Sequence, residues 1–153
     1  MADVHSADAR RRNMAAIRGK DTKPELMIRR GLHAKGFRYR LQGRGLPGRP
    51  DLVLPKYHAV IFVHGCFWHR HDCPMFRWPQ TRREFWREKI NGNARRDAEA
   101  IGFLLDVGWR VGIVWECALK GRGKRPLPEV IDSLSLWLSS DTKQFCVEGQ
   151  WID

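Results

Sequence analysis

The chain has 153 residues and a hydrophobic content of 42%, which suits a single globular domain, 1–153, with one adequate core. Its formal net charge is +11, and residues 1–50 carry most of it, with 13 Lys or Arg against 4 Asp or Glu. No hydrophobic run is long enough to span a bilayer and no signal peptide is recognisable, so we expect a cytoplasmic protein whose four cysteines are free thiols.

The basic first third of the chain points to a polyanionic partner. Arg10, Arg11 and Arg12 stand in tandem, and seven tryptophans offer faces on which bases can stack. A membrane surface fits less well, because the first twenty residues lack the sustained apolar face of a membrane-bound helix. We therefore expect nucleic acid to be bound, with 1–20 as a basic arm that contains one short helical stretch. The alternative is a solvated charged face.

The first long helix is predicted directly after this arm. Thr22 and Glu25 have the spacing of a capping box, and Pro24 stands in the first turn, where a missing N–H costs nothing. The helix is predicted to extend to about Lys35 and to end at Gly36.

Short strands and further helices follow in the order of a mixed α/β fold. The predicted strands are Phe37–Leu41, Asp51–Leu54, Ala59–Val63 and Trp109–Trp115. The predicted helices run from a second capping box at Thr81 and Glu84 to Ile90, from Asn93 to Val107, and over Leu127–Leu138. The last strand follows a long helix, so a right-handed crossover should pair it in parallel with the strand that ends at Val63. The result is a mixed sheet flanked by helices.

A metal site is indicated by the segment VHGCFWHRHDC, Val63 to Cys73, which holds three histidines, two cysteines and two adjacent aromatics. The carboxyl ends of two paired parallel strands emerge side by side, which should bring Cys117 next to this segment. The side chains of Cys66, His71, Cys73 and Cys117 would then form a closed tetrahedral set that suits structural Zn²⁺ and leaves no open position for catalysis.

Alternatives remain for this segment. His69 can replace His71 as the fourth ligand, since the pattern does not distinguish the two. The thiols can also be buried separately, beside a solvent-facing histidine. Cys146, which stands alone towards the C-terminal end, is expected to be an ordinary free thiol.

A second centre is expected where Asp51 enters its strand. The neighbouring strand ends at Val63 and His64, and a carboxylate beside a second strand end resembles the arrangement of Mg²⁺-dependent nucleases. His64 and His69 are not needed by the zinc set, and histidine suits a general acid or base in phosphodiester hydrolysis. Taken alone, Asp51 would be interpreted as a turn or strand-edge residue.

Four segments together resemble the very short patch repair (Vsr) DNA mismatch endonucleases. They are LPGRPD (Leu46–Asp51), VIFVHGCFWHRHDC (Val60–Cys73), TRREFWREKI (Thr81–Ile90) and GWRVGIVWECALKGR (Gly108–Arg122). The resemblance runs from about Val4 to Leu138. It implies a restriction-endonuclease-like fold and a bacterial, Mg²⁺-dependent enzyme that nicks DNA 5′ of the thymine in T:G mismatches formed by deamination of 5-methylcytosine.

The resemblance also implies roles for individual residues. Asp51 would be the central Mg²⁺ ligand, together with the backbone carbonyl of Val63. His69 would activate the attacking water, and His64 and Glu25 would support waters around the metal.

This chain departs from the expected pattern at two places. Many family members have Thr where Val63 stands, a difference without consequence if only the carbonyl binds metal. The general nuclease pattern expects an acidic residue and a lysine at the second strand end, where Phe62 and His64 stand. The histidines must therefore replace the lysine.

The resemblance implies that an aromatic wedge recognises the mismatch. Phe67, Trp68 and Trp86 would insert between base steps from the major groove, at a cost that is lowest where a step is already mispaired. The alternative for each aromatic side chain is core packing, which we prefer for Trp109 and Trp115 inside their strand.

The N-terminal arm is assigned to the minor groove of the DNA. Met14 and Ile17 match its apolar positions, and Arg10, Arg11 and Arg12 would bind nearby phosphates. From the resemblance alone, a coordinator protein of mismatch repair is expected as a partner. We expect a monomer, because a nick in one strand needs only one active site.

Two other functions stay open. One is a non-catalytic, zinc-stabilised DNA-binding module, which would leave His64 and His69 without a use. The other is a restriction-type nuclease that cuts matched duplex DNA.

Overall fold

The structure, a computed structural model, describes residues 22–151. Its helices are α1 (Lys23–Ala34), α2 (Arg83–Asp106) and α3 (Leu127–Leu138), and its strands are β1 (Arg40–Leu41), β2 (Leu52–Leu54), β3 (Ala59–His64), β4 (Arg110–Trp115) and β5 (Gln144–Val147). The predicted arm, with its sites at Arg10, Arg11, Arg12, Met14 and Ile17, lies outside the described residues. No helix in the described part is long and apolar enough to cross a membrane.

The strands form one mixed sheet in the order β1-β2-β3-β4-β5. The β1–β2 and β2–β3 pairs are antiparallel, whereas β3–β4 and β4–β5 are parallel. The predicted crossover pairing is thus confirmed, and its register places His64 opposite Trp115. The segments that follow these two residues therefore start side by side at one edge of the sheet.

Helices cover both faces of this sheet. On one face, α1 and α3 bury apolar side chains such as Leu32 and Leu134 against the strands. On the other face, α2 packs Leu104 against Phe62 and Val111. Each such side chain contributes roughly 1.5–3 kcal/mol when it is fully buried, so these contacts fix the helices on the sheet and with them the edge where the site lies.

The start of α1 agrees with the sequence pattern. Thr22 is its N-cap, and the Thr22 hydroxyl accepts a hydrogen bond from the Glu25 N–H at 3.4 Å. The Glu25 carboxylate, however, turns into the protein, where it accepts hydrogen bonds from Arg29 and Gln42. Only the Thr22 half of the capping box is therefore formed, and the Glu25 side chain lines the cavity described below.

The prediction of two helices between Thr81 and Val107 is wrong, because α2 is continuous. Gly92 in a helix interior costs about 1 kcal/mol. Burial of Ile90, Ala100 and Leu104 along the same helix outweighs this cost. The second capping box is also absent: the N-cap is Arg82 in a left-handed conformation (φ 52°), with no side-chain hydrogen bond.

The edge strands also differ from their predictions. The predicted strand Phe37–Leu41 is reduced to Arg40–Leu41, because Phe37 packs its ring on Tyr57 at 5.4 Å between centroids and belongs to the core. Strand β5 was not predicted, since four residues with mostly exposed side chains carry little periodic signal. It places Cys146 in an ordered, exposed edge position rather than in a tail.

Candidate active site and metal centre

One cavity of about 710 Å³ lies at the sheet edge where β2 begins and β3 ends. The residues predicted for catalysis and two of the three predicted wedge aromatics line it together: Glu25, Asp51, Val63, His64, Phe67, Trp68 and His69. These side chains come from positions between 25 and 69 of the chain. The antiparallel β2–β3 pair and the packing of α1 beside it bring them together. The third wedge aromatic, Trp86, is not part of the lining and contacts Phe67 from α2.

Asp51 is held at the entry of β2 by the neighbouring strand. Its Oδ2 accepts a hydrogen bond of 2.6 Å from the Val63 N–H. Since the N–H and C=O of one strand residue point to the same side, the Val63 carbonyl also faces the Asp51 side. Desolvation by burial raises the pKa of Asp51 to about 7, opposed by the Val63 N–H and reinforced by the nearby charge of Glu25. Two carboxylates in one cavity repel each other, and a divalent cation would relieve this repulsion.

Glu25 reaches the cavity from α1 and is only 1% exposed. Its Oε1 lies 2.5 Å from Arg29 Nη2 and 2.8 Å from Gln42 Nε2. A buried carboxylate needs such partners, because an uncompensated charge in the interior is strongly unfavourable.

His64, His69 and Asp97 form the other wall of the cavity. The two imidazole rings stack with centroids 3.8 Å apart and planes 5° apart, and His69 Nδ1 lies 2.5 Å from Asp97 Oδ2. Burial, followed by the charges of His69 and His71, lowers the pKa of His64 well below its usual range, so His64 is neutral. Its Nδ1 is buried and has no hydrogen-bond partner within residues 22–151. Such an orphaned polar atom suits a bound water or ion.

Asp97 was missed by the sequence reasoning, which assigned it no role. A signal existed, because Asn93 and Asp97 are four residues apart and so lie on one face of a helix. Both line the cavity, and the Asn93 side chain donates a hydrogen bond to the Trp68 carbonyl at 3.0 Å. One turn of α2 thus contacts the loop that carries His69. The donor atoms of His64, His69 and Asp97 lie within 4.8 Å of one another, and the group can hold a metal ion.

The predicted zinc ligands converge at a second point beside this cavity. The donor atoms of Cys66, His71, Cys73 and Cys117 all lie within 4.8 Å of one another, and His71 Nδ1 is 3.6 Å from Cys117 Sγ. His71 is the histidine of this cluster, whereas His69 is paired with Asp97. This favours His71 over His69 as the fourth donor.

The chemistry of this donor set fits a thiophilic dication such as Zn²⁺. Cys66 and Cys117 are buried, and burial raises the pKa of both thiols. A divalent cation at this point would hold them as thiolates. The Gly149 N–H, 3.1 Å from Cys117 Sγ, supplies an additional hydrogen bond to that sulfur.

Trp115, for which core packing was preferred, lies between the two centres. Its ring stacks on His71 at 4.0 Å between centroids and meets His64 edge-on at 5.2 Å. Trp109 behaves as expected and packs against the core beside α2. The Trp115 contacts couple the position of the Cys/His loop to that of the cavity wall.

The wedge aromatics form one cluster at the mouth of the cavity. Phe67 meets Trp68 at 5.2 Å and Trp86 at 5.5 Å between ring centroids, and all three side chains are half-buried. Phe76 continues the cluster from Phe67 at 6.0 Å, and Trp78, which is 43% exposed, follows at 5.0 Å. Sequence reasoning did not single out these last two rings. Half-buried rings backed by other rings can stack on bases without unfolding the loop.

Four basic side chains also line the cavity: Lys23, Lys89, Arg96 and Lys120. Lys120 forms an ion pair of 3.0 Å with Glu116, a fourth acidic residue of the lining beside Glu25, Asp51 and Asp97. Basic side chains in the same cavity as these carboxylates suit a substrate that carries phosphates.

Comparison with known proteins connects this geometry to one family. The profile of the family DNA mismatch endonuclease Vsr matches residues 2–75. The DNA mismatch endonuclease Vsr of Escherichia coli is 45% identical over 152 residues, which cover 99% of this chain and 97% of that protein. The type II nicking enzyme V.XorIIP of Xanthomonas oryzae pv. oryzae is 44% identical over 80% of this chain and 90% of its own. V.NmeAIP, a type II nicking enzyme of Neisseria meningitidis serogroup A, is 42% identical over 80% and 87%, respectively.

Proposed function

Because the chain belongs to the Vsr family of DNA mismatch endonucleases, we propose that it nicks one strand of duplex DNA 5′ of the thymine in a T:G mismatch. A DNA endonuclease role follows from the family, and the T:G substrate is the finer proposal. The observation that carries it is that Asp51, two stacked histidines and the aromatic side chains of Phe67 and Trp68 meet in one cavity. We place the enzyme in the bacterial cytoplasm as a monomer, since one cavity suffices for a one-strand nick.

Mg²⁺ is proposed as the catalytic cation, held by Asp51 with the Val63 carbonyl and with Glu25 nearby. Carboxylate and carbonyl oxygens are the donors that this ion prefers. When bound, Mg²⁺ neutralises charge on the scissile phosphate and makes water a stronger nucleophile. In the part of the chain that the structure describes, Asp51 Oδ2 accepts the Val63 N–H, and no hydrogen bond occupies its Oδ1.

His69 is proposed as the general base. Its Nδ1 faces the Asp97 carboxylate, which holds the proton on that nitrogen and leaves Nε2 with the lone pair. Nε2 would accept a proton from the attacking water as the water oxygen bonds to phosphorus and the bond between phosphorus and the 3′-oxygen breaks. A second water protonates the departing 3′-oxygen, which gives a 3′-hydroxyl and a 5′-phosphate. His64, neutral and stacked on His69, fixes the plane of the ring.

Replacement of Asp97 by Asn tests this arrangement. The amide can donate to Nδ1 and so favours the wrong tautomer, which we expect to slow nicking about 10²-fold, within the range that general-base catalysis contributes. Single-turnover nicking of a T:G duplex measures the effect, and binding of the duplex should be unchanged. Asp106→Asn, at an exposed position in the last turn of the same helix, is the matched control. An unchanged rate for Asp97→Asn would show that the pair of His69 and Asp97 does not act as the general base.

The substrate is tested with three duplexes that carry T:G, C:G or T:A at the same position. Insertion of Phe67 and Trp68 costs a few kcal/mol of stacking, and less at a mispaired step. We therefore expect the T:G duplex to be nicked on the thymine strand at least about 10²-fold faster than either matched duplex, since every 1.4 kcal/mol is a factor of ten. Equal cutting of all three, or breaks in both strands, would favour a restriction-type nuclease.

Structural Zn²⁺ is proposed for the Cys/His cluster. The cluster supplies three sulfur donors and one imidazole, a set that closes the coordination sphere. Its task would be to hold the loop of residues 65–73, which carries Phe67, Trp68 and His69 into the cavity.

A further inference from the structure

Gln42, at the end of β1, has a backbone conformation that few residues of its kind adopt. Its φ is +54°, in the left-handed region where glycine, asparagine and aspartate are favoured. An unbranched side chain in this region costs free energy, and such positions persist when the side chain has a use that outweighs the cost.

The use is visible in two hydrogen bonds that join Gln42 to Asp51 and Glu25, the two acidic residues proposed to face Mg²⁺. The Gln42 N–H donates to the Asp51 carbonyl at 3.1 Å, continuing the β1–β2 ladder past its last strand pair. The Gln42 side-chain Nε2 donates to Glu25 Oε1 at 2.8 Å. One residue therefore spans from the strand that carries Asp51 to the helix that carries Glu25.

Gln42 gives the Glu25 carboxylate a partner that comes from the sheet. Arg29 lies on the same helix, four residues on, and its charge compensates that of Glu25. A contact within one helix does not relate the carboxylate to the sheet. Gln42 approaches from the sheet, is neutral, and thus orients the carboxylate without cancelling the charge that a cation would need.

We propose that Gln42 is a positioning residue that fixes the Glu25 carboxylate relative to Asp51, so that both face one divalent cation. The left-handed backbone aims the amide, and the backbone N–H keeps the distance to Asp51. The inference rests on the proposed Mg²⁺-dependent nicking, in which Glu25 supports water around the metal.

The test uses Gln42→Asn, which tolerates the left-handed conformation but is one methylene too short to reach Glu25. Outer-shell partners of metal ligands typically contribute about 10–100-fold to metal affinity or activity. We expect the Mg²⁺ concentration that gives half-maximal nicking of the T:G duplex to rise about tenfold, at the low end of that range. The melting temperature of the metal-free protein should change little, because the better fit of asparagine to this backbone offsets the hydrogen bond that Glu25 loses. Gln144→Asn, at an exposed position in β5, is the matched control.

A binding readout without turnover accompanies the rates. Mg²⁺ should raise the melting temperature of the parent protein by mass action, and by less in Gln42→Asn at the same Mg²⁺ concentration. A double-mutant cycle with Glu25→Gln should be non-additive, with the double variant no slower than Glu25→Gln alone.

The outcomes separate the inference from the proposed function. A parent protein that nicks no T:G duplex with Mg²⁺ would remove the proposed function. A parent protein that does nick it, combined with an unchanged Mg²⁺ midpoint in Gln42→Asn or with additive effects in the cycle, would overturn the role of Gln42. A lower melting temperature with an unchanged midpoint would assign Gln42 to folding alone.

Discussion

Replacement of Cys117 by Ser is expected to release the structural metal and to unfold most of the protein. Cys117 is buried and follows β4, whereas the three other donors of the cluster belong to the loop of residues 65–73. A metal bound by the cluster would therefore connect that loop, which follows β3, to the end of β4. A hydroxyl in its place is a poor zinc ligand and would leave the remaining donors in an apolar interior.

The expected size of the effect follows from two free energies. Apparent binding free energies of structural zinc are about 10–16 kcal/mol, whereas whole domains are stable by about 5–15 kcal/mol. Losing even part of the free energy of zinc binding should lower the melting temperature by at least about 10 °C, since each kcal/mol corresponds to about 2–4 °C. Elemental analysis should find about one zinc per chain in the parent protein and none in the variant.

Cys146→Ser is the control for this prediction, because Cys146 is an exposed thiol on the edge strand β5 and outside the ligand cluster. It should keep both the zinc content and the melting temperature. A Cys117→Ser protein that retains one zinc and its melting temperature would show that the cluster is not the metal site.

Replacement of Asp51 by Asn is expected to abolish nicking while the fold and DNA binding remain. The amide has the shape of the carboxylate, and its oxygen can still accept the Val63 N–H that Asp51 Oδ2 accepts at 2.6 Å. What is lost is the carboxylate that is proposed to bind Mg²⁺ directly, and with it one of the negative charges that would attract the ion to the cavity. A catalytic metal supplies several kcal/mol of transition-state stabilisation, so the rate should fall at least about 10³-fold.

The measurement is single-turnover nicking of a T:G duplex at saturating enzyme. The melting temperature should be unchanged or higher, because burial disfavours the charged carboxylate, whose pKa is raised to about 7, but not the amide. Duplex affinity without Mg²⁺ should be equal or tighter, since one negative charge beside the phosphates is removed. The control is Asp72→Asn, which changes an exposed acid in the loop of residues 65–73 and should nick normally. A rate for Asp51→Asn within tenfold of the parent would exclude Asp51 as the metal ligand.

The two variants separate the two proposed metals. Loss of Cys117 should also abolish nicking, but through the loop, because Trp115 and the Cys/His loop hold His64 and His69 in place. Loss of Asp51 should leave that framework intact. The parent protein should be folded and active. The Cys117→Ser variant should lose both folding and activity, and the Asp51→Asn variant should lose activity but stay folded.

Signals in the sequence were sufficient to predict much of the fold and part of the candidate site. Residue types and spacing predicted the N-cap at Thr22 and the buried strands β3 and β4. The crossover rule then placed Cys117 beside Cys66 and Cys73, while the fourth donor stayed open between His71 and His69. The resemblance to the Vsr family, carried by contiguous motifs, is confirmed by the 45% identity to the Escherichia coli protein.

Tertiary structure alone decided the rest. Asp97, Gln42 and Trp115 act through partners that lie far along the chain or on another element, and no local pattern shows which way such side chains point. The choice of His71 over His69 depends on a single turn of loop backbone, which places one imidazole beside Cys117 and the other beside Asp97. Sequence determines which groups are present and which segments fold locally. Packing of helices on both faces of the sheet determines which groups meet, because it brings together side chains that the chain itself separates.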